Sequence, residues 1–185
     1  NGHITNCDNR DTDGDQLDDN IEYNIGTDPT DADTDGDECS DREEFHGVGR
    51  FTSDPLKKDT DDDGLDDCVE LKGILQLLEP IASDKPPLYP PPIQTNPRKL
   101  DTDGDTVSDI DEVTLSNGYQ SNPAVPDTDG DGLPDSEGVP GNYKYVSDPN
   151  DVDSDGDGLT DWEEQIGTGG YTSDPLKADT NGAGL

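Results

Sequence analysis

Asp153-Ser-Asp-Gly-Asp-Gly-Leu-Thr-Asp-Trp-Glu-Glu164 is the stretch on which the reading of this chain turns. Asp153, Asp155 and Asp157 alternate on a turn broken by glycine, so their carboxylates converge instead of pointing to opposite sides. Leu159 offers a backbone carbonyl at the seventh position, Asp161 stands at the ninth, and Glu164 closes the loop at the twelfth. That is the ligand schedule of a twelve-residue calcium loop, in which the last glutamate supplies two oxygens. No sulfur or imidazole stands nearby. An all-oxygen set suits a hard cation and disfavours zinc or copper.

The same schedule recurs along the chain. Loop 1 offers Asp11, Asp13, Asp15, Leu17, Asp19 and Glu22, and loop 2 offers Asp33, Asp35, Asp37, Cys39, Asp41 and Glu44. Loop 3 has Asp59, Asp61, Asp63, Leu65, Asp67 and Glu70, and loop 4 has Asp101, Asp103, Asp105, Val107, Asp109 and Glu112. Loop 5 carries Asp127, Asp129, Asp131, Leu133 and Asp135, but Gly138 takes its twelfth position and the acid comes one residue early at Glu137. Its bidentate ligand is therefore unassigned, with Glu137 the candidate. The quoted stretch is loop 6. A seventh loop begins at Asp179 and has Asn181 and Ala183 where carboxylates belong, so it predicts no independent site.

The loops start 22, 26, 42, 26, 26 and 26 residues apart, which is a 26-residue unit with one insertion of 42 − 26 = 16. The linkers keep the same register. Ile25, Phe51, Ile93, Tyr119, Tyr145 and Tyr171 stand eight residues before a loop, and Thr27, Ser53, Thr95, Ser121, Ser147 and Ser173 six before it. Asp28, Asp54, Asn96, Asn122, Asp148 and Asp174 stand five before it, each followed by proline. A fixed distance between the two patterns makes loop and linker one structural unit.

Short helices are predicted from the ninth position onward, over Asp19–Asn24, Asp41–His46, Asp67–Leu78, Asp109–Leu115 and Asp161–Ile166, with glycine-containing stops after most of them. The linkers are extended, because proline disfavours helix at the residue before it. Each unit has about two apolar anchors, the seventh-position residue and the linker residue, which can pack only against neighbouring units. The expected fold is mostly irregular: tandem calcium-stapled loop repeats with short helices, little or no sheet and no central hydrophobic core. It divides into an N-terminal array over residues 1–72, an insertion over 73–92 and a C-terminal array over 93–185. In the insertion, Leu71, Ile74, Leu75 and Leu78 fall at helical spacing, and a proline run over 86–92 reads as polyproline II. It either folds back as a local core or presents a docking face.

The motif Asp-Thr-Asp-Gly-Asp, followed by Thr-Asp-Pro or Ser-Asp-Pro-Leu-Lys, resembles the bacterial thrombospondin type 3 repeat over about residues 3–72 and 91–180. The calcium segment of anthrax-type protective antigens is similar. The resemblance implies two ions per loop. The first takes the first, third, fifth, seventh and twelfth positions. The second shares the third and fifth carboxylates and recruits oxygens from the downstream Ser-Asp-Pro segment, which brings in Asp28, Asp54, Asn96, Asn122, Asp148 and Asp174.

Composition narrows the function. Only 25% of residues are hydrophobic and the formal net charge is −36, so the metal-free chain is expected to be largely disordered, with bound cations supplying the folding free energy. Six calcium ions bring the charge to −36 + 12 = −24 and twelve to −36 + 24 = −12. Nucleic acid and anionic membranes are poor partners for such a surface. The chain opens on Asn1 and has no methionine, which reads as a processed, secreted product. Loops of modest affinity fill where calcium is about millimolar, outside the cell. Cys7, Cys39 and Cys68 predict one intrachain bridge and a spare thiol, with the pairing open. His3 and His46 read as surface residues and Trp162 as a packing residue.

Nearly every regularly placed carboxylate is assigned to an ion, so catalysis is not expected. The sequence predicts a secreted structural protein, a calcium-rigidified rod building an extracellular filament or surface layer. The alternative is a calcium-dependent adhesin, or the accessory module of a secreted toxin or hydrolase, with a glycan or surface partner. The half-units at the two ends predict head-to-tail self-association, residues 1–10 beside residues 171–185 of the next copy.

Overall fold

A computed structural model describes residues 10–74, 93–114, 118–167, 170–180 and 182. Among these, residues 10–74 and 93–100 form one compact unit, carrying loops 1 to 3, and the described residues from 101 onward form a second, carrying loops 4 to 6. The 93–100 linker belongs with loop 3. Ile74 donates its backbone N–H to the Ile93 carbonyl at 2.9 Å, and the Arg98 guanidinium donates to the carbonyls of Thr52 and Ser53.

The chain is mostly irregular. Its helices are α1 (Asp19–Ile25), α2 (Asp41–His46), α3 (Asp67–Lys72), α4 (Asp109–Thr114), the 3-10 helix η1 (Asp135–Gly138) and α5 (Asp161–Ile166). Among the described residues there is no strand, only the isolated bridges Val48–Phe51 and Pro140–Tyr143. Every helix starts at the ninth loop position, where acidic side chains in the first turn complement the positive end of the helix dipole. In α2 and α5 the start is fixed further by capping boxes, Ser40 with Glu43 and Thr160 with Glu163.

Two helices differ from the expectation. α3 was predicted to run to Leu78 but ends at Lys72, because Gly73 turns to φ +96° and Ile74 leaves the helix to bond the returning linker. The stripe continues only as burial, Leu71 at 0% and Ile74 at 2% exposed. η1 was not anticipated, since loop 5 lacks the glutamate that marks the other helices. Leu75, Leu78, Leu115, the proline run, His3 and Cys7 lie outside the described residues.

Among the described residues the buried apolar side chains are few and scattered: Leu17, Cys39, Leu65, Cys68, Leu71, Ile74, Val107, Val113 and Leu133. Five of them are seventh-position residues. Cys39 and Cys68 form a disulfide, and with Leu71 they make a small cluster covered by Val48 and Phe51. This settles the pairing that spacing left open.

Successive loops in a unit are joined through the fifth-position aspartate. Its Oδ2 accepts the backbone N–H at the tenth position of the next loop: Arg42 on Asp15 at 2.9 Å, Cys68 on Asp37 at 2.7 Å, Ser136 on Asp105 at 2.9 Å and Trp162 on Asp131 at 2.7 Å. Each acceptor satisfies a helix-start donor that has no intrahelical partner. The loop spacing is thereby tied to a hydrogen bond as well as to apolar contact.

Candidate metal centres

Each loop is wound by its own aspartates. The first one bridges two backbone donors: in loop 1, Asp11 accepts from Gly14 at 2.7 Å and from Gln16 at 3.1 Å. The third accepts from the N–H of the fifth, and the fifth from that of the seventh, as in Asp13 with Asp15 (3.3 Å) and Asp15 with Leu17 (2.6 Å). The bonds recur in loops 2, 4, 5 and 6. Winding the chain this tightly puts the fourth and sixth positions in the left-handed region, which glycine fills in loops 5 and 6. Thr106, at φ +86°, does so in loop 4 against the preference of a β-branched residue.

Binding its own loop with one oxygen leaves the third aspartate a second one. Oδ2 of Asp13, Asp35, Asp61, Asp103, Asp129 and Asp155 is buried and has no hydrogen-bond donor, and so is Oδ1 of Asp59. The twelfth-position glutamates face the same deficit: both oxygens of Glu22, and Oε2 of Glu44 and Glu112, are buried without a donor. In loops 1, 2 and 3 the aspartate triplets bring ligand oxygens within 4.8 Å of one another. These clusters of acidic residues could hold a metal ion. The grouping of Asp37 with Cys39 and Cys68 could not, since both sulfurs are already bonded to each other.

Burial without donors penalises the charged form, and neighbouring carboxylates add to the penalty. Glu22 is pushed up to about 8, and Glu44 and Glu112 to about 9, by burial first and by the third- and fifth-position aspartates after it. Burial likewise raises Asp35, Asp103 and Asp129 to about 6. Glu164 moves in the same direction for the same reason.

Loop 5 is completed by its unusual helix. The Ser147 hydroxyl donates to Glu137 at 2.5 Å, as Ser53 does to Glu44 (2.9 Å), Thr95 to Glu70 (2.9 Å) and Ser121 to Glu112 (2.8 Å). The backbone N–H of Ser147 also meets the Glu137 carbonyl, the bond that Ser53 makes to Glu44. The tighter 3-10 winding of η1 goes with the acid arriving one residue early. Glu137 is 1% exposed and raised to about 8 by burial, like the twelfth-position glutamates.

The ninth-position carboxylates are placed differently. Asp19, Asp41, Asp67, Asp109, Asp135 and Asp161 each accept from the backbone N–H and the hydroxyl of the second loop residue, at 2.5–2.9 Å. Both oxygens are committed to that clasp, which closes the loop onto the helix start. The linker aspartates and asparagines are also engaged locally. Asp28, Asp54, Asn96, Asn122, Asp148 and Asp174 each accept through Oδ1 from the N–H two residues on, in a turn held by proline. In the same linkers, Asp28, Asp54, Asn122, Asp148 and Asp174 donate their N–H to the hydroxyl of Thr34, Thr60, Thr128, Ser154 and Thr180. Asp174 is further paired with Lys177, which holds its carboxyl below the usual range. Of the seventh loop, the Asp179 carbonyl accepts from Gly182, and Asn181 and Ala183 lie outside the described residues.

Sequence reasoning missed the linker Ser/Thr as a partner of the preceding glutamate. The signal was present: Ser53 follows Glu44, and Ser121 follows Glu112, by nine residues. Comparison with family models, curated proteins and solved structures finds no match for this chain.

Proposed function

We propose that this chain is a secreted calcium-binding structural protein built from thrombospondin type 3-like repeats. The observation that carries the reading is the recurrent pairing of a third-position aspartate oxygen with a twelfth-position glutamate, buried and lacking donors. Such oxygens are costly to bury unless a cation or a proton compensates them. An all-oxygen set of this kind selects calcium over softer metals. One ion per loop satisfies the orphaned oxygens; a second rests on the family resemblance alone. Glu137 serves as the glutamate of loop 5.

A disulfide between two buried cysteines accords with an oxidising, extracellular setting, where calcium is also plentiful. Nearly every regularly placed carboxylate is taken up by the proposed ions and the clasps, which favours a structural role over an enzymatic one. Self-association completes the proposal. Leu159 is 40% exposed where the other seventh-position side chains are 1–5% exposed, and it offers a stacking face to a second copy in a filament or surface layer. No described helix is long and apolar enough to cross a membrane.

The test is circular dichroism and Trp162 fluorescence during calcium titration of the chelated chain, followed by electron microscopy of both samples. Ordering on calcium addition, with fibres in calcium only, is expected. Spectra unchanged by complete calcium removal would overturn the calcium reading. A calcium-ordered but monodisperse monomer would replace the filament with the adhesin alternative.

A further inference from the structure

The Cys39–Cys68 disulfide is built into loop 2 rather than laid beside it. Cys39 is the seventh-position residue of that loop, and Cys68 is the tenth-position residue of loop 3. Asp37 joins them: its Oδ1 accepts from the Cys39 N–H and its Oδ2 from the Cys68 N–H, both at 2.7 Å. One carboxylate thus holds the backbone of both cysteines. At the equivalent junctions of Asp15 with Arg42, Asp105 with Ser136 and Asp131 with Trp162, the hydrogen bond stands without a covalent link. The two cysteines are 1% and 5% exposed, under Leu71, Val48 and Phe51. A thiol can reach either sulfur only if this junction opens.

We infer that the Cys39–Cys68 disulfide and the cation of loop 2 are thermodynamically linked, so that calcium shields the disulfide from thiols and its reduction weakens calcium binding at loop 2. The inference rests on the calcium reading above. The closed junction positions Asp37 and, through Cys39, the seventh-position backbone of the loop. A cation that engages Asp35, Asp37 and Glu44 therefore favours the closed form, in which the sulfurs are covered. Binding to one state alone suppresses the other by mass action, about a hundredfold at a hundred times the dissociation constant. The reaction itself is ordinary exchange with a dithiol reductant. One reductant thiolate attacks a protein sulfur and forms a mixed disulfide. The second displaces it, leaving two protein thiols and an oxidised, cyclic reductant, with two electrons and two protons transferred. Linkage is reciprocal, so the reduced chain must bind calcium less tightly at this junction.

The test measures reduction of the full chain by dithiothreitol, followed by thiol alkylation and mass spectrometry, in calcium and in chelator. Three proteins are compared: unsubstituted, Glu44→Gln and Glu164→Gln. Calcium is expected to slow reduction by at least about tenfold in the unsubstituted chain and in Glu164→Gln, but not in Glu44→Gln. Equal protection in all three, or equal loss in both variants, would overturn the local linkage. Should Glu44→Gln fail to fold, calorimetric titration of the oxidised chain against the reduced and alkylated chain decides the matter. Weaker binding after reduction supports the linkage, and identical isotherms overturn it. An oxidised chain that binds no calcium at all sinks the functional reading and this inference with it; calcium binding without protection sinks the inference alone.

Discussion

Glu22, Glu44 and Glu112 show what a single side chain contributes here. Each is buried with at least one oxygen that lacks a donor, both in Glu22 and Oε2 alone in Glu44 and Glu112, and each is raised from the ordinary 4.5 to about 8 or 9 by burial. A carboxyl raised on folding holds its proton in the folded state, so it contributes stability that is complete below about 4.5 and lost as the pH climbs through 8 to 9. The chelated chain should therefore be more ordered near pH 4.5 than near pH 9. Calcium affinity should move the opposite way, strengthening over the same window, because the ion displaces those protons. Titration calorimetry at neutral pH in two buffers of different ionisation enthalpy should show net proton release; equal heats in both would contradict it. Residue position alone suggests that Glu164→Gln harms loop 6 more than Glu137→Gln harms loop 5. The η1 geometry changes that expectation. Glu137→Gln and Glu112→Gln should each weaken their own loop by at least about tenfold, comparably, in calcium titrations of the two variants. A silent Glu137→Gln would return loop 5 to the status of an incomplete site.

Between residue and molecule stand the short helices, none long enough to hold by propensity alone. Their starts were legible because the ninth-position aspartate and the capping residues are written in the sequence, as at Ser40 and Thr160. Their ends were less so. The apolar spacing of Leu71 and Ile74 reads equally as a longer helix and as two anchors in a folded-back linker, and Gly73 decides for the second. η1 was illegible because its acid sits at the wrong interval for an α-helix, and only the Ser147 contact shows that winding compensates for spacing. The role of the ninth-position aspartates was also hidden. Ligand and clasp require the same residue type, and the partner is a threonine or serine that looks like filler in the loop. The α3 cluster offers a direct check on packing. Leu71→Ala removes a side chain that is 0% exposed and should cost about 2–5 kcal/mol in calcium-saturated thermal unfolding, with calcium stoichiometry unchanged. A loss under about 0.5 kcal/mol would mean that the cluster adds little to ion binding in holding the unit.

For the molecule as a whole, the governing fact is that a chain of 185 residues has a net charge of −36 and that its described residues bury only a few small apolar side chains. Hydrophobic burial on that scale does not offset the conformational entropy of ordering the backbone. Each compact unit instead repeats one arrangement, in which aspartates wind the loop, a glutamate closes it, and the fifth aspartate clasps the next helix start. The oxygens that the wound loop leaves without donors form clusters that could hold a metal ion, and in the proposed reading that ion completes the scheme. Composition and spacing were enough to reach the acidic clusters and the mostly irregular fold, because the alternating aspartates are written at fixed loop positions. The disulfide partner could not be reached that way, since it depends on how adjacent loops stack. The claim that cations occupy these sites is tested most directly by counting them. Equilibrium dialysis of the oxidised chain against millimolar calcium, with bound metal measured by mass spectrometry, should find at least six calcium ions per chain, one for each complete loop, moving the charge to −36 + 12 = −24 or beyond. Fewer than two bound ions, in a chain that keeps the same circular dichroism spectrum, would contradict the account.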